Sequence, residues 1–234
     1  MALEIHRLRG GHHRKVLISV TAVPPAIHPE VAIFLCKLPA ATLPPAADCS
    51  IDLTVPSVVP YENALHQVIR EVLAGGYSWW LNIDADNPPR CNPLELISLD
   101  LDVVGCPTPV WHWTRNKEYP IYLNAYRYVP EAGAYREYPA REGLHQVDAV
   151  GTGCVLIARR VLEDPRMRTG CFLRKLEPDG VVERGNDISF CERAGACGFR
   201  IWAHYDYPCN HYPDRMNLLD LGVAFQTWRA NHVE

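Results

Sequence analysis

Two aspartates spaced as Asp84-x-Asp86 stand at the end of the nearly apolar run Tyr77-Ser78-Trp79-Trp80-Leu81-Asn82-Ile83, and Asn87-Pro88-Pro89 stops that run abruptly. Such a run, uncharged until its end, reads as a strand buried on both faces of a sheet. The acids then sit at the strand's carboxyl end, where open α/β sheets bind ligands. Residues i and i+2 leave a strand on the same side, so the spacing predicts that Asp84 and Asp86 share one divalent cation. Hard oxygen donors that leave positions open suit Mg2+ or Mn2+ bridging the phosphates of a nucleotide. Asp100-Leu101-Asp102 repeats the spacing inside an apolar pattern that runs on to Val103-Val104 without turn residues. Those two acids read as solvated positions on an edge or helix face.

A chain of 234 residues can bury one sizeable core, or form one domain with two unequal lobes. Charged residues at 21% and hydrophobic ones at 48% exclude a disordered or fibrous chain. The formal net charge of -4 argues against wholesale coating of nucleic acid but is compatible with a local basic patch. No run approaches the roughly 20 apolar residues of a membrane span. Glu4, His6, Arg7 and Arg9 leave no signal-peptide core, which points to the cytoplasm. The nine cysteines scatter from Cys36 to Cys209 without zinc-knuckle spacing and read as reduced, mostly core residues.

The elements that must position the acids follow from pattern. Residues 1–15 form a polar arm, and Lys15 to Val23 a first strand ended by Pro24-Pro25, which sets Thr21 to Pro25 at the acids' edge of the sheet. No glycine-rich loop follows, so neither the P-loop nor the dinucleotide fingerprint applies. A short helix over 29–38, an irregular link over 39–47 and a strand from Ser50 to Val55 come next. Ala64, Leu65, Val68, Ile69, Val72 and Leu73 make a helical stripe closed by Gly75-Gly76, so strand, helix and strand predict a parallel sheet. A helix over Cys91 to Leu99 and a strand over Asp102 to Cys106 follow.

The segment from Pro107 to Arg141 then gathers Trp111, Trp113, Tyr122, Tyr126, Tyr128 and Tyr135, interleaved with Arg115, Lys117, Arg127 and Arg136. It reads equally as an acceptor-binding lip or as a hairpin with cross-strand aromatic pairs. Strands flank the small-residue kink Gly151-Thr152-Gly153, whose glycines admit a ligand close to the backbone. Asp187 sits at the mouth of an amphipathic helix, a position that Asp also fills as an N-cap. A last strand over Arg200 to Ala203, His204 and His211 in a Tyr/Pro-rich loop, and a closing helix from Asn217 to Trp228 complete the chain.

With the pieces in this order, the chain from about Lys15 to His211 resembles a nucleotide-sugar-dependent glycosyltransferase of the GT-A fold, closest to the family-2 type. The resemblance rests on Tyr61-Glu62-Asn63-Ala64 opening a helix, Asn82-Ile83-Asp84-Ala85-Asp86 ending a strand, Val150-Gly151-Thr152-Gly153, Gly185-Asn186-Asp187 and the late His211. It implies an α/β, GT-A-like (Rossmann-like) domain over 1–234, with a mixed, mostly parallel sheet flanked by helices. Residues 15–106 would form the nucleotide-sugar half and 107–234 the acceptor half. It also implies that Asp84 faces the nucleotide, that Asp86 holds Mn2+ or Mg2+, and that His211, or else His204, completes the metal shell. Asp187 carries over as the catalytic base of inverting transfer. Thr21, Val23, Pro24, Asn63, Asp84 and Ala85 then fall to a nucleoside-diphosphate sugar, foremost a UDP-sugar. Gly151, Thr152, Gly153, Trp111 and Trp113 fall to the acceptor and donor pocket.

Two positions depart from the family. Asn186-Asp187 stands where Glu-Asp is usual, and Glu62-Asn63 where Arg-Asn is frequent, which puts a diphosphate contact in doubt. Without a membrane span, the hydroxyl acceptor is a protein, a cytosolic saccharide or nucleic acid. Some compact GT-A proteins of bacteriophages glycosylate hydroxymethylated bases in DNA, in the host cytoplasm. Two other functions stay open. A nucleotidyltransferase also sets paired acids on Mg2+ but usually has a glycine-rich, basic loop where this chain has Thr21-Ala22-Val23-Pro24-Pro25. A non-catalytic sugar- or nucleic-acid-binding module would use the aromatic segment alone.

Overall fold

The computed structural model describes residues 14–21, 26–41, 49–56, 58–111 and 121–213, with side chains omitted for 39–41 and 111. The chain begins with β1 (Arg14–Thr21), α1 (Pro29–Ala41), β2 (Cys49–Thr54), α2 (Tyr61–Gly75) and β3 (Trp79–Asp84). Both faces of β1 and β3 are covered: Val16, Val20, Leu81 and Ile83 on one, and Leu17 and Trp80 with the buried polar side chains of Ser19, Thr21 and Asn82 on the other. β1 pairs in parallel with β2 and with β3, as a strand, helix, strand crossover requires. α2 buries the stripe Ala64, Leu65, Val68, Ile69 and Val72, and stops where Gly76 turns left-handed (φ 69°) and gives its N–H to Val72 O.

A 3-10 turn over Pro93–Leu99, capped by the Asn92 side chain on Leu94 N, replaces the expected α-helix, and β4 (Val103–Gly105) follows. The aromatic segment folds as antiparallel ribbons: β5 (Pro109–Trp111) with β6 (Ile121–Leu123), and β7 (Ala125–Val129) with β8 (Ala134–Glu137). Next come β9 (Leu144–Val147), β10 (Ala149–Val150), β11 (Cys154–Ala158) and the short α3 (Arg159–Glu163). The last elements among the described residues are β12 (Lys175–Leu176), β13 (Val182–Arg184), α4 (Asn186–Ala196) and β14 (Ile201–His204). The closing helix expected over 217–228 lies outside the described residues.

The main sheet has the order β2-β1-β3-β11-β4-β14-β9. β1, β2, β3, β4 and β14 run one way, and β9 and β11 run against them, giving the mixed, mostly parallel Rossmann-like sheet expected from the sequence. Strands from beyond residue 107 are thus interleaved with the earlier ones in a single sheet. One face carries α2, Phe172 and α4, and the other carries Val31 and Leu38 of α1 with Leu94, Leu96 and Ile97. All nine cysteines are free thiols. Cys106, Cys154 and Cys209 are buried together, and thiol neighbours with burial hold Cys154 high, protonated and inert. No described helix is long and apolar enough to cross a membrane.

α3 was not foreseen, yet its first residue ties the sheet to α2. The Arg159 guanidinium donates to Val72 O (2.9 Å), Leu73 O (3.1 Å) and Tyr77 O (3.2 Å), while its Nε meets Glu163 at 2.6 Å. Val72 and Leu73 lie in the last turn of α2, where carbonyls lack an i+4 partner within the helix; the Gly76 N–H also reaches Val72 O. Arg159→Ala is expected to lower the unfolding free energy by about 1–3 kcal/mol in urea titrations. A loss under about 0.5 kcal/mol, the scale of a neutral surface change, would mean that Gly76 closes the helix alone.

Candidate functional site

Asn82 is a 0% exposed amide inside β3, and a buried amide must find partners. It accepts from Ser19 Oγ and Thr21 Oγ1, both at 2.8 Å, and donates to Thr152 O (2.7 Å) and Asp84 Oδ1 (3.3 Å). Trp80 Nε1 completes the chain by donating to Ser19 Oγ at 2.7 Å. Tyr61 Oη, from the first residue of α2, donates to Asp84 Oδ1 at 2.6 Å and lies 3.3 Å from Thr152 Oγ1. Three residues expected at the site, Thr21, Asp84 and Thr152, are therefore joined by one polar network. Ser19, Tyr61 and Asn82 were not foreseen in it. The available signal was polar residues at positions where the strand pattern demanded burial.

β3 ends at Asp84, so strand alternation does not place Asp86; a turn does. Ala85 N donates to Thr21 O (3.0 Å) and Asn87 N to Asp84 O (3.0 Å), while His28 N and Tyr212 N donate to Ala85 O (2.7 Å) and Asp86 O (3.0 Å). The His28 and Tyr212 rings stack at 4.1 Å. Loops after β1 and β14 thus grip the backbone between the acids. Ala85, assigned to the nucleotide sugar, has both backbone groups engaged in this grip. Asn87 is 3% exposed, and its amide, set in the orientation that satisfies both its ends, donates to Asp86 Oδ1 at 3.1 Å. Each aspartate therefore has one oxygen held by a nearby Asn amide.

His211 reaches the pair as expected: its Nε2 lies 3.5 Å from Asp86 Oδ2. Its Nδ1 is 2.6 Å from Pro109 O, and since a carbonyl only accepts, Nδ1 carries the proton. In the neutral ring Nε2 then presents a lone pair toward the carboxylate. Two donors each about 2.1 Å from a divalent cation, at neighbouring positions of its shell, stand roughly 3.0–3.5 Å apart. Asp86 and His211 fit that spacing. Asp84 Oδ1 is occupied by Tyr61 and Asn82, which leaves Oδ2 without a hydrogen bond among the described residues. No three His, Cys, Asp or Glu side chains among the described residues already meet as a metal cluster, so phosphate or water oxygens would have to complete the shell.

Charge is costly here. Burial pushes Asp84 up to about 6, with the Asp86 charge adding to the rise and the Tyr61 and Asn82 bonds opposing it. Burial works against charging His211, but the Asp86 carboxylate and the Pro109 carbonyl outweigh it and raise its pKa. Tyr61 is raised by burial and then by Asp84, so it remains a donor. A divalent cation would relieve both acids at once.

The other expected residues divide. A Cβ on Gly151 would come within 2.0 Å of the Asn124 amide, and one on Gly153 within 2.2 Å of the Asn87 amide. The protein's own side chains, not a ligand, fill those spaces. Asn63 is exposed and reaches Val59 O at 3.5 Å, with no bond to the acid pair. His204 Nδ1 is buried without a hydrogen bond, 3.9 Å from Asp206 rather than near Asp86. Val23, Pro24 and Trp113, with the Trp111 side chain, lie outside what is described. Asp100 and Asp102 are not merely solvated, because Arg160 clamps both at 2.9 and 2.7 Å.

Asp187 occupies the first turn of α4, and its Oδ1 accepts from Ile188 N at 2.8 Å. One turn on, Cys191 Sγ lies against Val150 N at 3.4 Å, which docks α4 beside Gly151 and Thr152. Tyr126 of β7 is raised by burial, and the Asp187 charge adds to the rise. Arg127 and Arg136 stand opposite one another on the reverse face, with Arg127 over the Tyr138 ring at 4.9 Å. Tyr126, Tyr128 and Tyr135 therefore lie on the face opposite to the two arginines, and Tyr138 is the aromatic neighbour of Arg127.

No family profile matches the chain, and comparison with curated protein sequences gives no match either. Among solved structures, the crystal structure of A197 from STIV is similar at 14% identity, covering 86% of each chain with a TM-score of 0.56. Apo UDP-glucose pyrophosphorylase is similar at 10% identity over 95% of this chain and 100% of that one, with a TM-score of 0.47. The same enzyme complexed with UDP-glucose gives 10%, 94%, 100% and 0.44. The likeness to A197 concerns the fold alone, and the two weaker ones carry no functional argument.

Because Asp84 is raised in the folded state, the native protein keeps a proton there that the unfolded chain releases. Its stability is therefore lost as pH rises from about 4 to about 6, and stays lost above. Asp84→Asn keeps the Oδ1 acceptor without the charge. At pH 7.5 and without added metal it is expected to be more stable than the parent by about 1–2 kcal/mol, a discounted figure for a half-buried group. The gain should vanish near pH 4. A variant less stable at pH 7.5 would contradict this picture of the site.

Proposed function

We propose that this chain is a metal-dependent glycosyltransferase that moves a sugar from a nucleoside-diphosphate sugar, foremost a UDP-sugar, to a hydroxyl acceptor with inversion. The observation that carries this is the paired setting of the acids. Each has Oδ1 pinned by the protein, and Asp86 Oδ2 faces a histidine whose tautomer the Pro109 carbonyl dictates. Asp86 and His211 would hold Mn2+ or Mg2+, with Asp84 Oδ2 turned to the ribose or the same ion. A cation bound there would stabilise the negative charge that builds on the diphosphate as it leaves the anomeric carbon. Asp187 would take the acceptor hydroxyl's proton as the new bond forms. Thr21 and Thr152 keep the polar floor of the site in register, and the ribbons carrying Trp111 and Tyr126 border the acceptor side. Hydroxymethylated DNA is one acceptor of the required chemistry, with Arg127 and Arg136 available to phosphate.

Nucleotidyl transfer is the second reading, since paired acids on a cation serve attack at a phosphorus equally well. On its side is the place of Asp187 in the first turn of α4, where the helix dipole favours an acid without any role as a base. Products separate the two. With Mn2+ and a UDP-sugar, glycosyl transfer or donor hydrolysis yields UDP. Nucleotidyl transfer, run in reverse with added pyrophosphate, yields UTP and a sugar 1-phosphate. Asp86→Ala is expected to abolish UDP release, and Asp187→Asn to slow transfer about 10²- to 10⁴-fold with UDP binding intact. UTP formation, or full transfer by Asp187→Asn, would overturn the primary reading.

A further inference from the structure

Glu62, the second residue of α2, is only 6% exposed, an unusual place for a carboxylate. Its Oε1 accepts from Arg174 Nε, 112 residues further along. The chain is anchored in the core two residues before the arginine. Cys171 and Phe172 are 0% exposed, and Phe172 packs edge-on against Trp80 at 5.9 Å and stacks on Phe190 at 4.4 Å. The guanidinium itself is not enclosed: the Arg174 side chain is 53% exposed against 8% for Glu62. An arginine has five N–H donors, and Glu62 takes the one on Nε. Both terminal nitrogens have no partner among the described residues.

We propose that Arg174, aimed by the buried Glu62, is a binding group for the diphosphate of the nucleotide held at the acid pair. This deepens the nucleotide-sugar reading and rests on it. Glu62 directly follows Tyr61, the residue that grips Asp84, so the guanidinium stands at the helix end that touches the acids. The site is otherwise short of cations. Asp84, Asp86 and Asp187 bring three carboxylates, and among the described residues the only cationic partner of the acid pair is His211. A nucleoside diphosphate adds further negative charge, which a divalent ion and a guanidinium with free N–H groups would meet together. Stability alone explains the pair poorly, because an ion pair with one well-exposed partner contributes little while the buried carboxylate is costly to desolvate.

The test is calorimetric titration of the full chain with Mn2+ and UDP, pyrophosphate or uridine. Arg174→Gln is expected to weaken UDP and pyrophosphate about 10- to 100-fold, the scale of lost hydrogen bonds to a charged group. Uridine should bind as to the parent, since it lacks the phosphates. Arg174→Lys should recover part of the loss, keeping the charge without the fork. Glu62→Gln should fall between, because the guanidinium remains but is no longer aimed. Parent-like UDP and pyrophosphate affinity in Arg174→Gln overturns the proposal, as does an equal loss for uridine. If the parent chain binds neither UDP nor pyrophosphate with Mn2+, the nucleotide reading itself fails and this one with it.

Discussion

Charge has been brought to the end of an enclosed strand, and what surrounds β3 answers the cost of having it there. A carboxylate beside apolar surface loses water, and a second one two residues on adds repulsion. Every element that meets at this edge contributes something to hold the pair. β1 supplies two hydroxyls to Asn82, α2 supplies the Tyr61 phenol, and β11 leads out of the kink carrying Thr152. The loop after β14 supplies His211, oriented from the start of β5. Hydrogen bonds fix one oxygen of each aspartate but neutralise neither. The remaining imbalance is the physical reason to expect a cation.

The same imbalance links stability to function. A group held above its ordinary pKa reduces stability at neutral pH, and the fold carries that loss across a large apolar core. Protein hydrogen bonds make the arrangement rigid before any ligand arrives. Rigid donors stabilise developing charge without reorganising, which is how such sites contribute to rate.

Much of this was legible in the sequence where one period dominates. β1, β3 and α2 follow directly from apolar runs and a helical stripe, and with them the edge at which Asp84 emerges. Asp86 was expected beside Asp84 by strand alternation; β3 stops at Asp84 instead, and a turn gripped by His28 and Tyr212 sets its position. Gly151 and Gly153 looked like room for a ligand, but the Asn124 and Asn87 amides fill it, a long-range packing fact without local signature. The Tyr61 bond to Asp84 and the pairing of Arg174 were invisible for the same reason, since the partners lie far away in sequence. The departure at Glu62 was noticed, and its meaning appears only once Arg174 is seen to meet it. α3 and the β12–β13 ribbon are too short for periodicity to register.

The central claim is that Asp86 and His211 hold a divalent cation at the edge where Asp84 meets the nucleotide. Anomalous diffraction from crystals grown with Mn2+ and UDP tests it most directly. The account predicts a manganese peak bonded to the Asp86 carboxylate and His211 Nε2, with diphosphate oxygens completing the shell. Bound UDP with no manganese at those two side chains, or manganese held elsewhere on the chain, would contradict it.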